Sequence, residues 1–521
     1  MKKYSLKDFE ALLDREGLLV KGLGDPERCP EDSVSGRTVE YITYDSRQCR
    51  PGTVFVCKGV SFKAAYLDKA FENGAFCYVS EVEYPGGKPA LIVKDVRLAM
   101  ALLANMFFCT EDRIFKLIGL TGTKGKSTTL YFMKSIMDRY YASIGSKKPG
   151  YISTIDTYDG KDEFESHLTT PEALVLHEHF ANAQEAGLPV FMMEVSSQGL
   201  KYDRVYGVKY DLGAFLNYGI DHVGDGEHTD EEDYIQSKLK FFDCCKKVYI
   251  NLDTERIEDI ICAARISECD AVPYSVSGRA VQVDVDGYPT VCVPEYTACN
   301  IRKEEGYTWF TVKRGDEEVI TACFSIPGSF NVENAMIACL LCLDAGIPKE
   351  AIIEGLKDAR VKGRMEVFES SKKDVVVVSD YAHNILSFDR LFSAVKEDYP
   401  GWRVEALFGC PGGKGLSRRQ ELPGAVAKYA DFVWVTEEDP GLESAADISA
   451  ELEKNLAKHG CPCTVILDRE EAVKTAILGA APKTVIVMTG KGREEYMHRG
   501  NAYEPIESDS SMAEKYLAMR G

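Results

Sequence analysis

No apolar run in this sequence approaches the roughly 20 residues that a helix needs to cross a bilayer. Long runs such as 336–343 and 375–378 fall far short of it, so a membrane-spanning chain is excluded. Positive charge is scarce as well. Lysine and arginine number 62 against 82 aspartates and glutamates, a net charge of −20, and no long basic block concentrates the cations. Such a surface repels nucleic-acid phosphates, so an anionic ligand must be held by local positive devices. The first residues, MKKYSLKDFEALLDREG, read as a charged amphipathic helix without the apolar core of a secretory signal, which predicts a cytoplasmic protein. Seventeen cysteines are present, an odd count, and Cys57, Cys77 and Cys323 sit in apolar contexts. Cys339 and Cys342 have metal-like spacing, but no second pair stands at zinc-ribbon distance. Their segment NAMIACLLCLDAG reads as a helix, so core thiols are expected rather than a metal site. His177 and His179 are expected on a partly exposed helix face.

What is present is ordinary globular material: 45% apolar and 28% charged residues over 521 positions, enough for about three domains. Residues 1–112 alternate short strand-like runs (53–57, 77–80, 90–93) with helical patterns such as AYLDKAFENGA, a small α/β unit. Residues 113–344 open with a buried strand at 114–120 that feeds a glycine-containing loop and a helix. Further strands at 190–193, 212–216 and 247–250 predict a mostly parallel sheet covered on both faces. Between 273 and 325 alternating β residues predict an antiparallel meander appended to that sheet. Residues 345–521 repeat βα units with strands at 375–378, 404–408, 432–436, 464–467 and 485–488, a Rossmann-like doubly wound pattern. No GxGxxG follows its first strand, so a dinucleotide site is not supported.

The strongest local signal is TGTKGKST at 121–128, between a buried strand and a helix. Gly122 and Gly125 let backbone N–H groups approach phosphate oxygens, and Lys126 supplies charge for the outer phosphates. The helix N-terminus favours an anion, and Ser127 or Thr128 offers a hydroxyl to magnesium. The loop departs from GxxxxGK[ST], because Leu120 stands where the first glycine would be. Glu194 ends the strand PVFMME at the carboxyl edge of the sheet, placed to hold magnesium, and His222 follows the next strand as a second candidate ligand.

TGTKGKST, MEVSSQGL, NYGIDHVGD, YIQSKLKFF, IPGSFNVENAMIA, VKGRMEVF, DYAHN and GKGREEY occur in the order and rough spacing of the Mur ligases, the ATP-dependent amino-acid-adding enzymes of peptidoglycan precursor synthesis. The chain resembles that family over nearly its whole length. The segment TYDSRQCRPGTVFVCKG is similar to the nucleotide-sugar domain of the branch that adds the third residue. The resemblance implies a three-domain α/β architecture with a central phosphate-loop parallel sheet and a C-terminal Rossmann-like domain. It also implies an acyl-phosphate mechanism using ATP and two magnesium ions, acting on UDP-MurNAc-L-Ala-D-Glu and a free diamino acid, by a monomer. Lys126, with Gly122, Thr123, Lys124, Gly125, Ser127 and Thr128, would hold the ATP phosphates. Thr128 and Glu194 would hold one magnesium. Lys238 matches the family's carbamylated lysine, whose carbamate with His222 would position a second. Asn334, Arg364, Asp380 and His383 would bind adenine, ribose or phosphates. Ser46 and Arg47 would face the uridine nucleotide, while Thr169, Thr170, Pro171, Ser196 and Arg204 line the muramoyl-peptide path.

Two motifs depart from the family: SSH becomes Ser196-Ser197-Gln198, and GKGHE becomes Gly490-Lys491-Gly492-Arg493-Glu494. Neither touches the phosphate or metal set. The third amino acid is set elsewhere. Diaminopimelate-adding members carry Asp-Asn-Pro-Arg, whose arginine grips the distal carboxylate; here the stretch is Glu438-Asp439-Pro440-Gly441. Glu437, Glu438, Asp439 and Glu443 cluster there, and Glu494 matches the family's amino-acid-binding glutamate, with Gly490 opening its loop. An acidic pocket suits an ammonium, so L-lysine is expected, with L-ornithine or meso-diaminopimelate as alternatives. Lys414, Arg418 and Arg419 lie in the matching glycine-rich segment and offer a substitute positive charge. Folylpolyglutamate synthetase shares the central fold but lacks the N-terminal domain. The alternative from another class is a non-ligating nucleotide-binding switch of Mur-like fold, which needs no Lys238.

Overall fold

Each of the three main sheets is built on strands buried on both faces, which is why those strands read as continuous apolar runs. The computed structural model describes residues 3–23, 34–59, 62–221, 224, 227–285 and 287–520. The chain divides into two compact units, one of residues 1–299, 312–320 and 337–352, the other of 300–311, 321–336 and 353–521.

The first unit contains two sheets. The N-terminal one has the order Leu19–Lys21, Ala90–Val93, Ala75–Ser80, Thr53–Val56, Tyr41–Thr43, parallel except for its first strand. The helix Leu6–Arg15 opens on a capping box, in which the Asp8 N–H donates to the Ser5 hydroxyl and the Ser5 N–H to the Asp8 carboxylate. The helix Val96–Phe108 is apolar around most of its circumference, so one sheet cannot cover it. Its other side shares an apolar cluster with Ala173 and Leu174, at the start of the helix Ala173–Ala186. That packing joins the N-terminal sheet to the central one.

The central sheet runs Asp270–Ser275, Cys245–Asn251, Tyr210–Phe215, Lys116–Thr121, Val190–Glu194 and Gly150–Ile152 in parallel, then Asp156–Tyr158 and Glu163–Glu165 antiparallel. The strand Tyr296–Glu304 joins through Tyr274↔Tyr296, and Tyr307–Arg314 and Glu317–Phe324 follow in the same sheet. The expected meander is thus only partly appended to it. The stretch VQVDVDGYPTVCV instead forms its own hairpin, Val281–Val285 against Tyr288–Cys292. The reason is packing: Val283 and Val285 cluster with Leu252 and Ile261, covering the helix Ile257–Ile266. The histidine expectation also fails. His177 and His179 are buried, His177 meeting the Thr110 hydroxyl and His179 standing 2.8 Å from Asp159. The sixteen described cysteines are free thiols, and burial pushes that of Cys339 up to about 12.

The second unit carries a six-stranded sheet in the order Glu366–Glu369, Val375–Asp380, Thr484–Thr489, Arg403–Phe408, Phe432–Val435, Cys463–Val465. All are parallel but the first. That antiparallel edge, and the hairpin Tyr496–Arg499 with Ala502–Pro505, were not anticipated, both being short and mixed in polarity. Arg469 begins the helix Arg469–Gly479 and is clamped by Asp509, at the start of the helix Asp509–Arg520, with two contacts of 2.7 Å. Its Nη1 and Nη2 also donate to the carbonyls of Glu437 and Thr489 respectively. Both partners are buried, so removing one strands a charge. Asp509→Ala is therefore expected to cost this unit about 3–5 kcal/mol, read from its urea-unfolding transition.

Candidate active site

The strand Lys116–Thr121 lies between Val190–Glu194 and Tyr210–Phe215, so three parallel strands end beside the loop 122–125. Gly122 has φ 148°, and a Cβ there would stand 3.0 Å from Leu216 Cβ and 3.1 Å from Asn217 N. Gly125, at φ 88°, leads into the helix Lys126–Ser143, whose N-terminal end carries the positive end of the helix dipole and favours an anion. Asn217 templates the loop from the next strand's end. Its side-chain oxygen accepts from Lys124 N (2.8 Å), its amide donates to Lys124 O (3.0 Å), and its carbonyl accepts from Thr123 N (2.9 Å). The Thr123 hydroxyl donates to Gly219 O (3.1 Å) and meets the Tyr234 hydroxyl (3.0 Å). Lys124 pairs with Asp221 at 3.1 Å.

Two lysines converge on one carbonyl. Lys126 Nζ donates to Gly122 O at 2.7 Å, and Lys238 Nζ donates to the same oxygen at 3.0 Å. Lys238 is 1% exposed on the helix Glu231–Leu239, which Asp230 caps by accepting from Asp233 N. Burial first, and the charge of Lys126 second, push the Lys238 amine well below the ordinary lysine value. Thr128 is half-buried in the first turn of the loop's helix, with Ser127 buried beside it. His222 lies outside the described residues.

Glu194 is held at the neighbouring strand end by Thr154, whose N–H and hydroxyl donate to its two carboxylate oxygens at 2.9 and 3.0 Å. The Thr154 hydroxyl also meets that of Thr169 at 3.0 Å. The Thr170 hydroxyl donates to Glu194 O (3.0 Å) and accepts from Ser196 N (2.9 Å), and Arg204 donates to Thr170 O (3.0 Å). Glu194, Thr169, Thr170, Ser196 and Arg204 therefore form one hydrogen-bonded chain. Ser196 also caps the helix Ser197–Lys201, which carries Gln198. Ser46 and Arg47 occupy a separate turn, where Arg47 is clamped on Asp45 (2.7 Å) and Ser46 O accepts from Asn73.

In the second unit, Asp380 Oδ2 accepts from Met365 N (2.8 Å), Arg364 lies 5.1 Å from the Tyr381 ring centre, and His383 Nδ1 meets Tyr381 O (2.8 Å). The four expected residues there split into these three and Asn334, which donates to Asn331 at 3.0 Å. The acidic cluster is largely neutralised from within, contrary to the open acidic pocket expected. Arg499 takes Glu437, Lys491 takes Asp439 (3.0 Å) and Glu494 (2.5 Å), and Arg419 takes Glu443 (2.9 Å) and Glu451 (3.4 Å). Arg419 is thereby committed, whereas Lys414 is exposed. Arg493 turns to Glu366 (2.7 Å). Among the described residues, Glu438 alone of that cluster has no hydrogen bond or ion pair, although it is 8% exposed. Gly490, at φ 99°, makes room for it: a Cβ there would stand 2.2 Å from Glu438 Oε2. Burial pushes the Glu438 carboxyl up to about 7, against the opposing pull of Arg469.

Residues 120–342 match the Mur ligase middle domain, and 363–492 match the Mur ligase glutamate ligase domain. The chain belongs to the Mur ligase family. This Mur ligase is 35% identical over 494 residues to the UDP-N-acetylmuramyl-tripeptide synthetase of Lactobacillus delbrueckii subsp. bulgaricus, covering 92% of this chain and 93% of that one. It is 36% identical over 481 residues to the UDP-N-acetylmuramoyl-L-alanyl-D-glutamate–L-lysine ligase of Streptococcus suis, again covering 92% and 93%. A solved UDP-N-acetylmuramoyl-L-alanyl-D-glutamate–2,6-diaminopimelate ligase aligns over 100% of this chain and 99% of its own, with a TM-score of 0.63 at 21% identity. That likeness concerns the fold, and the α/β Mur ligase architecture expected from the sequence is the one observed. Among the described residues no helix is long and apolar enough to cross a membrane.

Sequence reasoning missed the residues that orient the site of this Mur ligase: Asn217, Thr154 and Lys491. Asn217 follows a strand in the motif NYGIDH and Lys491 sits inside GKGRE, so both carried a signal; Thr154 did not. Glu438 generates a test. Its pKa of about 7 exceeds the ordinary 4.5, so the native state retains a proton that the unfolded chain releases between these values. Stability linked to this group is full below pH 4.5 and falls as pH rises through 7. Glu438→Gln removes that loss. Relative to wild type it is expected to gain on the order of 3 kcal/mol between acid and mildly alkaline pH, seen by urea unfolding at both ends.

Proposed function

We propose that this Mur ligase is an ADP-forming UDP-N-acetylmuramoyl-tripeptide synthetase that adds L-lysine to UDP-MurNAc-L-Ala-D-Glu in peptidoglycan precursor synthesis, working in the cytoplasm as a monomer. The observation that carries the reading is 35–36% identity, over 92% of the chain, to relatives named as tripeptide synthetases and L-lysine ligases. The site geometry supports it. Residues 1–112 would hold the uridine nucleotide, 113–344 the ATP phosphates and muramoyl peptide, and 345–521 the incoming amino acid.

Joining a free carboxylate to an amine is uphill in water. The glutamyl carboxylate therefore attacks the γ-phosphate of ATP, giving an acyl phosphate and ADP. The amine then adds to the acyl carbon, and the tetrahedral intermediate expels phosphate. The loop N–H groups and Lys126 would cradle the phosphates and draw charge toward the leaving ADP. Thr128 and Glu194 are hard oxygen donors, and Glu194 is already oriented by Thr154, a set that fits magnesium with its preference for few carboxylates plus phosphates. The buried Lys238 amine, held well below its usual pKa, suits reaction with carbon dioxide. The nitrogen bonds the carbon, a proton leaves, and the resulting carbamate would serve with His222 as the second ligand pair. Bound there, two magnesium ions would offset the repulsion between the carboxylate and the triphosphate. Asn334, Arg364, Asp380 and His383 would hold the rest of ATP, and Ser46, Arg47, Thr169, Thr170, Ser196 and Arg204 the nucleotide-peptide.

For the amino acid, Asp439 and Glu494 are matched by Lys491, which leaves Glu438 to meet an ammonium. Gly441 itself has no side chain to receive a second carboxylate, and desolvating an unpaired carboxylate is costly.

Lys126→Ala is expected to abolish amino-acid-dependent ADP release with an unchanged circular-dichroism spectrum; near-normal turnover would refute the loop assignment. Lys238→Ala is expected to be nearly inactive and partly rescued by a short carboxylic acid. The deciding assay compares kcat/KM for L-lysine, L-ornithine and meso-diaminopimelate. A preference for diaminopimelate overturns the lysine reading, and nucleotide binding with no ligation at all overturns the ligase.

A further inference from the structure

Three cations surround one carboxylate where the N-terminal sheet meets the central one. Lys58 Nζ stands 2.8 Å from Glu172 Oε2, Arg204 Nη2 stands 3.0 Å from Oε1, and Arg97 Nη1 stands 3.8 Å from Oε2. Glu172 and Arg204 are buried and Lys58 and Arg97 half-buried, so the local excess of two positive charges is poorly screened. Of the carboxylates nearby, Asp95 caps the helix Val96–Phe108, and Asp203 faces Lys240 while also feeling the charge of Arg97. Aromatic faces brace the cations instead: Tyr44 lies 4.3 Å from Lys58 and Tyr202 lies 4.6 Å from Arg97. Two buried guanidinium N–H groups, Arg97 Nη1 and Arg204 Nε, have no hydrogen-bond acceptor. The helix Ala173–Ala186 starts at Glu172 and adds the positive end of its dipole. Burial first lowers the Lys58 pKa, opposed by Glu172 and reinforced by the neighbouring charges of Arg97 and Arg204.

We propose that Lys58, Arg97 and Arg204 form an oxyanion cradle for a carboxylate or phosphate of the nucleotide-peptide substrate, with Glu172 as an internal place-holder that yields part of their coordination when that anion docks. This rests on the reading of the chain as a tripeptide synthetase, and it assigns Lys58, Arg97 and Glu172, which the family resemblance leaves without a role. Position favours the glutamyl end as the source: Arg204 donates to Thr170 O, and the Thr170 hydroxyl donates to the main-chain carbonyl of Glu194, so the cradle is two hydrogen bonds from the backbone of the residue that would hold magnesium. An anion there would anchor the peptide while its reacting carboxylate faces ATP.

The test is calorimetric binding of UDP, UDP-MurNAc-L-Ala and UDP-MurNAc-L-Ala-D-Glu to wild type, Lys58→Met, Arg97→Gln and Glu172→Gln, with ATP binding as a control for folding. Lys58→Met and Arg97→Gln are expected to weaken UDP-MurNAc-L-Ala-D-Glu at least tenfold. Weakening confined to that ligand identifies a glutamyl carboxylate; equal weakening of UDP identifies the diphosphate. Glu172→Gln separates a cradle from a structural ion-pair latch. In the cradle it removes a competitor, and affinity holds or rises; in a latch it loosens the cluster, and affinity falls as in the lysine variant. Affinities within twofold of wild type for both cation variants, or a Glu172→Gln loss, overturn the proposal. If the cation variants do not fold, the sign of the Glu172→Gln effect decides alone. Wild-type enzyme that binds the substrate but ligates no amino acid refutes the functional reading instead.

Discussion

Two lysine side chains share the carbonyl of Gly122, and the central unit is organised around tolerating that arrangement. Like charges this close disfavour one another, and burial adds to the penalty on Lys238. The helix that carries Lys238 is therefore fastened at its other end. Asp230 caps it, and Asp233 is gripped by Lys201 at 2.6 Å and lies 3.3 Å from His228, whose other nitrogen meets the Ser197 hydroxyl. These contacts run directly into the short helix capped by Ser196, so the loop 122–125 and the hydrogen-bonded chain through Thr170 and Ser196 share one scaffold. The loop itself is not free to relax away, because Asn217 fixes both sides of Lys124.

Charge in the second unit follows a related rule. An acidic sequence cluster became a set of closed pairs, with Arg499, Lys491 and Arg419 drawn from distant positions to meet Glu437, Asp439 and Glu443. Position along the chain does not say which cation meets which carboxylate, since pairs such as Asp439 and Lys491 are far apart in sequence. The net charge of −20 thus says little about any one site. What distinguishes a site is the residue the pairing leaves over, here Glu438.

The strands of the parallel sheets and the phosphate loop were legible because period and loop chemistry are local properties. Glu194 was legible for the same reason, ending a strand whose neighbours fix where its side chain emerges. Contacts that depend on tertiary packing were not. His177 looked half-exposed on its helix pattern but is buried against Thr110 and Phe180, and the alternating residues 281–292 served a helix face rather than the sheet. Thr154, which aims Glu194, lies in a connection with no periodicity to read.

The strand Thr484–Thr489 comes last in its sheet's sequence yet lies inside it, between Val375–Asp380 and Arg403–Phe408. During synthesis those two strands emerge with no partner for the edge each will present to it, and the chain must run on from Phe408 to Thr484 before the gap is filled. Formation of this sheet is consequently a late and non-local event, the kind that is slow and that leaves hydrogen-bonding edges open meanwhile. The segments 438–441 and 490–494 follow the carboxyl ends of the strands Phe432–Val435 and Thr484–Thr489, so on the ribosome the pairing of Asp439 with Lys491 must wait for that last strand.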